Sequence, residues 1–473
     1  MNPLLPRARP VRLVTTLLSE GWRDIDELVL GSALPRRSVE ELLAEFGDDL
    51  EHRGDSVRLR EGSAARAAEL AGGQAEPPAD LLDRIRSHIE GVPAPLPALD
   101  HVQATPETVL RRAGWLDEEY DLRQARLLFL GDHDLTSLAV RALRPDARLT
   151  VVDVDDRILE YIDDLSDGSI RTVHTDLRFG LPLAVAGSAD VVFSDPPYTQ
   201  AGMALFAARG IECLERPKEG RLLLAYGYSE RHPTLGRQVQ RELLSLGLTF
   251  EAIIPDFNRY TGAQAVGSAA DLYVCQPTAR AGGKRARKGN AEQAIYTRGP
   301  RSVEADQSPR RLHDALTAIA AEGGRNVEQR DPDWTRPRAV PEGVAVAVDL
   351  SGDPGPWLPR LLLAVNADRV AALVPNNHPD LTDERAQAAL VELLRPKYRL
   401  RLLRSTPDNS HAVVVAEAAP ATAAEPGVHA VWTRAHARLG NVWPRADADI
   451  ADLRLIDLPR HRIAEVRRLL EPS

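Results

Sequence analysis

The sequence predicts an α/β protein in three parts. These are an N-terminal winged-helix module, a central Rossmann-like doubly wound domain of seven strands, and a smaller C-terminal α/β domain. Three observations predict it. Three amphipathic helical stretches and a strand–turn–strand run open the chain. Seven short apolar runs with helical stretches between them follow from residue 101 to 278. Four more strand-like runs with interleaved helices occupy residues 311–473. Alternating strand and helix signals are the signature of a mostly parallel sheet covered on both faces.

In chain order, Val14, Leu17 and Leu18 share one face of a first helix, and Asp24 is placed to cap a second that carries Leu28. Val39, Leu42, Leu43 and Phe46 stand at helical spacing in a third, preceded by Pro35-Arg36-Arg37. The run LEHRGDSVRLR then reads as two strands around a Gly-Asp turn, closing the module at about residue 60. Such modules often bind DNA through the third helix. Here Glu40, Glu41, Glu45, Asp48, Asp49 and Glu51 oppose phosphate, so packing or dimerisation is the favoured role, with nucleic acid left open. Residues 61–100 read as a linker with one helix, Asp80 to Glu90. The strands of the central domain are expected at 125–131, 149–155, 170–176, 190–198, 221–228, 249–255 and 271–277. Buried parallel strands read as unbroken apolar runs of this kind. Residues 279–310, rich in Gly, Arg and Lys, read as a flexible linker. In the last part, strands are expected at 343–351, 369–377, 398–403 and 411–418, with helices at 311–321, 358–365 and 383–394. PNNHP at 375–379 follows a strand end, but it defines no chemistry alone, and the role of this domain stays open.

Composition excludes several function classes. Across 473 residues the net charge is −10, which argues against a general nucleic-acid coat. It suits a cationic small molecule better. No 18-residue apolar run exists, so no membrane span is expected. The first residues lack the apolar core of a signal peptide, and a cytoplasmic protein is the expectation. Cys213 and Cys275 lie far apart and give neither a disulfide framework nor a metal cluster, and no metal is implied.

The chemistry-bearing residues fall at strand ends, where ligands of such folds bind. The first strand ends in Gly131-Asp132-His133-Asp134-Leu135-Thr136-Ser137. Gly131 permits close backbone approach, but there is no G-x-G-x-x-G. Carboxylates at a helix N-terminus repel pyrophosphate and suit a cation, such as a sulfonium or an amine. The second strand ends in Asp153-Val154-Asp155, with Asp155 the better acceptor for ribose hydroxyls and Asp153 its support. Asp176, after the third strand, could receive an adenine amino group. The fourth strand ends in Asp195-Pro196-Pro197-Tyr198. The prolines stiffen the loop and set the direction of Asp195, which can orient an attacking amine and take its proton.

These stretches resemble the branched-chain polyamine synthases, the N4-bis(aminopropyl)spermidine synthases. The likeness includes Gln103-Ala104-Thr105-Pro106-Glu107-Thr108, the Gly131–Ser137 loop, Val152-Asp153-Val154-Asp155, Asp176-Leu177-Arg178 and Ser194-Asp195-Pro196-Pro197. It continues through Tyr260-Thr261-Gly262-Ala263, Gly267-Ser268 and Ala270-Asp271-Leu272-Tyr273. The resemblance implies a class I methyltransferase-like fold and aminopropyl transfer from decarboxylated S-adenosylmethionine to an amine of a polyamine such as spermidine, releasing methylthioadenosine. It implies Asp195, Asp132 and Asp134 as catalytic, and Gly131, Asp153, Asp155 and Asp176 on the donor. His133, Pro196, Pro197, Tyr198 and Gln103 would line the acceptor side, and a homodimer is the family habit. Two departures matter. His133 replaces the middle acid of the family's loop, and Tyr198 stands where the family often carries an acid. The extra C-terminal region is a third. They leave open an amino-methyl or aminocarboxypropyl transferase using intact S-adenosylmethionine on a nucleobase or small amine. They also leave open a regulatory binding protein with a degenerate catalytic domain.

Overall fold

A computed structural model describes residues 6–262, 268–281, 294–296, 310–337, 340–353, 355–420 and 426–470. The N-terminal part contains α1 (Arg9–Glu20), β1 (Arg23–Asp24), α2 (Ile25–Ser32), α3 (Arg36–Phe46), β2 (Leu50–Arg53) and β3 (Ser56–Leu59), followed by α4 (Ala64–Ala71). Asp24 caps α2 as expected: its carboxylate accepts from Glu27 N–H at 2.8 Å, and Glu27 returns the bond to Asp24 N–H at 2.9 Å. Val14, Leu18, Leu28, Val39, Leu42 and Phe46 form the core. Leu70 of α4 joins them, so the segment read as a linker with one helix contains two, and the first belongs to this core. Its Ala-rich composition hid a helix that packs on α1 through small side chains. Arg36 and Arg37 on α3 pair with Asp26, Glu40 and Glu41.

The second helix of that segment, α5 (Leu81–Gly91), packs on α6 (Pro106–Glu119). The central part continues with β4 (Arg126–Leu130), α7 (Thr136–Leu143), β5 (Arg148–Asp153), α8 (Asp156–Leu165), β6 (Arg171–His174), β7 (Val191–Ser194) and α9 (Gln200–Cys213). It closes with β8 (Arg221–Tyr226), α10 (Pro233–Ser245), β9 (Leu248–Arg259) and β10 (Ala269–Pro277). All seven expected strands are present. They order as β6-β5-β4-β7-β8-β10-β9, with β10 antiparallel to both its neighbours. Successive side chains on β4 alternate between faces. Leu127 and Phe129 enter one apolar cluster, Leu128 and Leu130 the other.

The C-terminal part holds α11 (Arg310–Ala320), β11 (Asn326–Arg330), β12 (Val344–Asp349), α12 (Trp357–Ala364), β13 (Arg369–Pro375), α13 (Glu384–Leu394), β14 (Tyr398–Leu403) and β15 (His411–Ala418). Three short helices follow: α14 (Pro426–Thr433), α15 (Leu439–Val442) and α16 (Arg460–Leu470). Strand β11 and these helices escaped the sequence reading, because NVEQR has no apolar alternation, α14 and α15 are about two turns or less, and α16 is rich in arginine. The sheet order β11-β12-β13-β15-β14 repeats the order and directions of β4-β7-β8-β10-β9. One apolar cluster runs unbroken from Val173 and Val192 of the central sheet to Trp357, Leu358 and Ile463. Most of the segment expected as a flexible linker lies outside the described residues. Ile295 and Tyr296 do not behave as solvated linker: both are buried against the central part.

Candidate active site

The carboxyl ends of β4, β5, β6 and β7 open on a cavity of about 650 Å³. Gly131 ends β4 at φ +74°, a conformation that glycine adopts at no steric cost. From there Asp132 turns back on α7, its two oxygens accepting from Thr136 N–H at 2.9 Å and Ser137 N–H at 3.0 Å. Asp153 joins the neighbouring strand ends, accepting from Asp132 N–H at 3.0 Å and Asp155 N–H at 2.8 Å. Both acids line the cavity. Burial raises Asp132 to about 7 and Asp153 to about 6.

The centre of the site is Arg112, fully buried on α6. Its guanidinium donates to Asp134 Oδ2 at 2.6 Å, Asp195 Oδ2 at 2.7 Å, Asn258 Oδ1 at 2.8 Å and Tyr260 Oη at 3.2 Å. Tyr260 donates to Asp195 Oδ2 at 2.6 Å and Tyr198 donates to Asp195 Oδ1 at 3.0 Å. Three donors thus hold Asp195 and leave one acceptor direction on Oδ1. Burial raises the pKa of Asp195 even against Arg112. Arg112 and Tyr260 were missed as site residues. The available signal was a charged residue inside the buried stripe Val109, Ala113, Leu116.

Several expectations change with this geometry. Asp134, expected to be catalytic, lines the cavity with both oxygens engaged: Oδ1 accepts from Ala104 N–H at 2.6 Å and Gln103 Nε2 at 3.4 Å, while Oδ2 is held by Arg112. Gln103 is part of the cavity lining. Asp155 caps α8 and pairs with Arg157 at 2.6 Å, outside the cavity lining, whereas Asp153 lies in that lining. Asp176 does line the cavity, but Arg178 and Trp357 already donate to it. Tyr198, which stands where the family often carries an acid, spends its hydroxyl on Asp195. Pro196 and Pro197 line the wall. A Cβ on Gly202 would stand 2.7 Å from Pro197 O, so glycine is required where α9 meets this loop. Thr199 caps α9 and donates to Ile295 O at 2.7 Å, which draws Ile295 and Tyr296 into the lining.

His133 is buried in the lining with no hydrogen-bond partner for either ring nitrogen among the described residues. It stacks on His101 at 4.4 Å with 19° between planes. Burial, then His101, lowers its pKa to about 4, so the ring is neutral at pH 7. Among the described residues no group of three or more His, Cys, Asp or Glu side chains has the arrangement to hold a metal ion.

Strand order and cavity together define a methyltransferase-like α/β domain with its ligand site beyond the strand ends. Residues 80–298 match the model of the branched-chain polyamine synthase A C-terminal domain. An uncharacterized protein of Methanocaldococcus jannaschii is 37% identical over 190 residues, which is 40% of this chain and 48% of that one. The N(4)-bis(aminopropyl)spermidine synthase of the same organism is 30% identical over 188 residues, 38% of this chain and 53% of that one. The chain therefore spans about half the length of these curated relatives. The solved branched-chain polyamine synthase of Thermus thermophilus, in complex with N4-aminopropylspermidine and 5′-methylthioadenosine, is 24% identical. That match covers 58% of this chain and 88% of the other at a TM-score of 0.39. No helix among the described residues is long and apolar enough to cross a membrane.

Proposed function

We propose that the central domain transfers an aminopropyl group from decarboxylated S-adenosylmethionine to an amine of a polyamine such as spermidine. The observation that carries this reading is Asp195, gripped by Arg112, Tyr198 and Tyr260 with one acceptor direction left toward an acid-lined cavity. An amine N–H donates to that direction and its lone pair attacks the carbon beside the sulfonium. The carbon–sulfur bond breaks, its electron pair returns to sulfur as methylthioadenosine leaves, and the proton passes to Asp195 or water. Asp153 accepts from the ribose and Asp132 faces the sulfonium charge, while Asp176 borders the base. Similarity to the N(4)-bis(aminopropyl)spermidine synthase supports the reading over the matched stretch. A cytoplasmic location goes with it. The first helices and three-stranded sheet make a winged-helix module, and the acids paired with Arg36 and Arg37 favour packing over DNA.

A second reading draws on neutral His133 and on Arg112. Both reduce the negative charge offered to a polycation and favour intact S-adenosylmethionine as donor to a less charged amine. Mass spectrometry of products separates the two. Methylthioadenosine plus an aminopropylated amine, from the decarboxylated donor only, supports the first. S-adenosylhomocysteine from the intact donor supports methyl transfer, and methylthioadenosine from the intact donor supports aminocarboxypropyl transfer. Asp195→Asn is expected to abolish turnover and spare donor binding; near-full activity would remove Asp195 from its role.

A further inference from the structure

The family match ends at residue 298, yet the part of the chain beyond it reaches the cavity wall. Trp357, the first residue of α12, is fully buried and donates Nε1–H to Asp176 Oδ2 at 2.9 Å. Asp176 stands at the end of β6 and lines the cavity. Its other donors are Arg178 N–H at 3.0 Å and the Arg178 guanidinium, at 2.9 Å to Oδ1 and 2.5 Å to Oδ2. That guanidinium lies 4.7 Å over the Trp357 ring and 5.2 Å over Tyr296, another lining residue.

One turn further along α12, Arg360 donates to His174 Nδ1 at 3.1 Å and to Asp156 Oδ1 at 2.5 Å. The other nitrogen of His174 faces Val154 O, itself in the lining, at 3.1 Å. Arg460 N–H also reaches Asp156 Oδ1 at 2.9 Å, and His461 reaches Asp163 at 2.7 Å. The C-terminal part therefore holds Asp176 directly through Trp357 and meets Val154 at one remove, through His174. A carboxylate whose hydrogen bonds are built in advance presents a set geometry to a ligand.

We propose that Trp357 is a positioning residue of the central cavity, and that the C-terminal part sets ligand affinity by holding Asp176 in place. This rests on reading the cavity as an adenosyl site. The test uses the full chain, with 5′-methylthioadenosine as the probe, in isothermal titration calorimetry and thermal unfolding. Trp357→Phe keeps a ring and removes the N–H. Trp432→Phe is the matched control: Trp432 is equally buried in the same part of the chain, and donates to Leu393 O at 2.8 Å away from the cavity. Loss of a hydrogen bond to a charged group is expected to raise Kd about tenfold in Trp357→Phe. Trp432→Phe is expected to stay within about twofold of wild type, since distant sites act independently. Equal shifts in the two variants, or no shift in either, overturn the proposal. If Trp357→Phe does not fold, the indole N–H resonances of the wild-type chain give the answer. The Trp357 signal is expected to move on adding methylthioadenosine while that of Trp432 stays, and a stationary Trp357 signal overturns the proposal. Wild-type protein that binds no adenosyl compound overturns the adenosyl reading together with the proposal. Binding that both variants retain overturns the positioning role alone.

Discussion

Arg112→Met removes the one cation shared by Asp134 and Asp195. The side chain is fully buried, and its loss leaves both carboxylates and Asn258 without the donor that joins them. Removing one partner of a buried ion pair costs ~3–5 kcal/mol, because an uncompensated charge stays behind. For a cooperative unit of ~150–250 residues each kcal/mol moves Tm by ~2–4 °C, so a fall of roughly 6–20 °C is expected in the transition of the central part. The assay is differential scanning calorimetry at pH 7.5 and again near pH 5. The sign with pH follows from the charge left behind. Burial already raises the pKa of Asp195 against Arg112, and without Arg112 it rises further. Its protonated form then favours the fold at low pH, and that contribution is lost as pH rises through the folded pKa. The deficit of the variant is therefore largest at pH 7.5 and shrinks toward pH 5. Adding Asp134→Asn to the variant is expected to recover part of the loss. A variant within about 3 °C of wild type at pH 7.5 would refute the reasoning, since ~1 kcal/mol is what a solvent-screened pair gives.

Three other predictions follow from the same geometry. Protons compete with a cationic ligand for Asp132, with a pKa of about 7, and for Asp153, with one of about 6. Affinity for S-adenosylmethionine is expected to rise as pH climbs through those values, and that for uncharged methylthioadenosine to stay flat; parallel calorimetric titrations with matching profiles would contradict this. In Tyr260→Phe, Asp195 keeps Arg112 and Tyr198 but loses its 2.6 Å donor. A fall in kcat of about 10- to 100-fold is expected. The acidic limb of the rate profile should move to higher pH, because the donor favoured the carboxylate; an unmoved limb would separate Tyr260 from the chemistry. His133→Asp restores a charge to a lining position, and competition assays are expected to show about tenfold tighter binding of a polyamine relative to the wild type. A weaker polyamine signal would mean that the ring nitrogens themselves contact the ligand.

Much of this molecule is legible in one dimension. Strands β4, β7 and β8 of the central sheet are apolar runs short enough to be buried almost whole, and the strand-end loops carry their own markers: Gly131, Asp153, Asp176, Asp195-Pro196-Pro197. These are local properties, set by backbone sterics, by capping and by the apolar character of five to nine consecutive residues. The Asp24 cap of α2 is of the same kind. What each acid does is a different matter. Asp132, Asp134, Asp155 and Asp176 look alike in sequence. Folding assigns one to a helix cap, one to Arg112 and the chain at Ala104, one to Arg157 outside the cavity, and one to Trp357. The partners lie 22 residues away for Arg112 with Asp134, 83 for Arg112 with Asp195 and 181 for Trp357 with Asp176. Sequence by itself determined the central sheet and the strand ends where acids gather. Tertiary structure alone decided which acids keep a free acceptor for a ligand, because a buried carboxylate must find its donors wherever packing brings them.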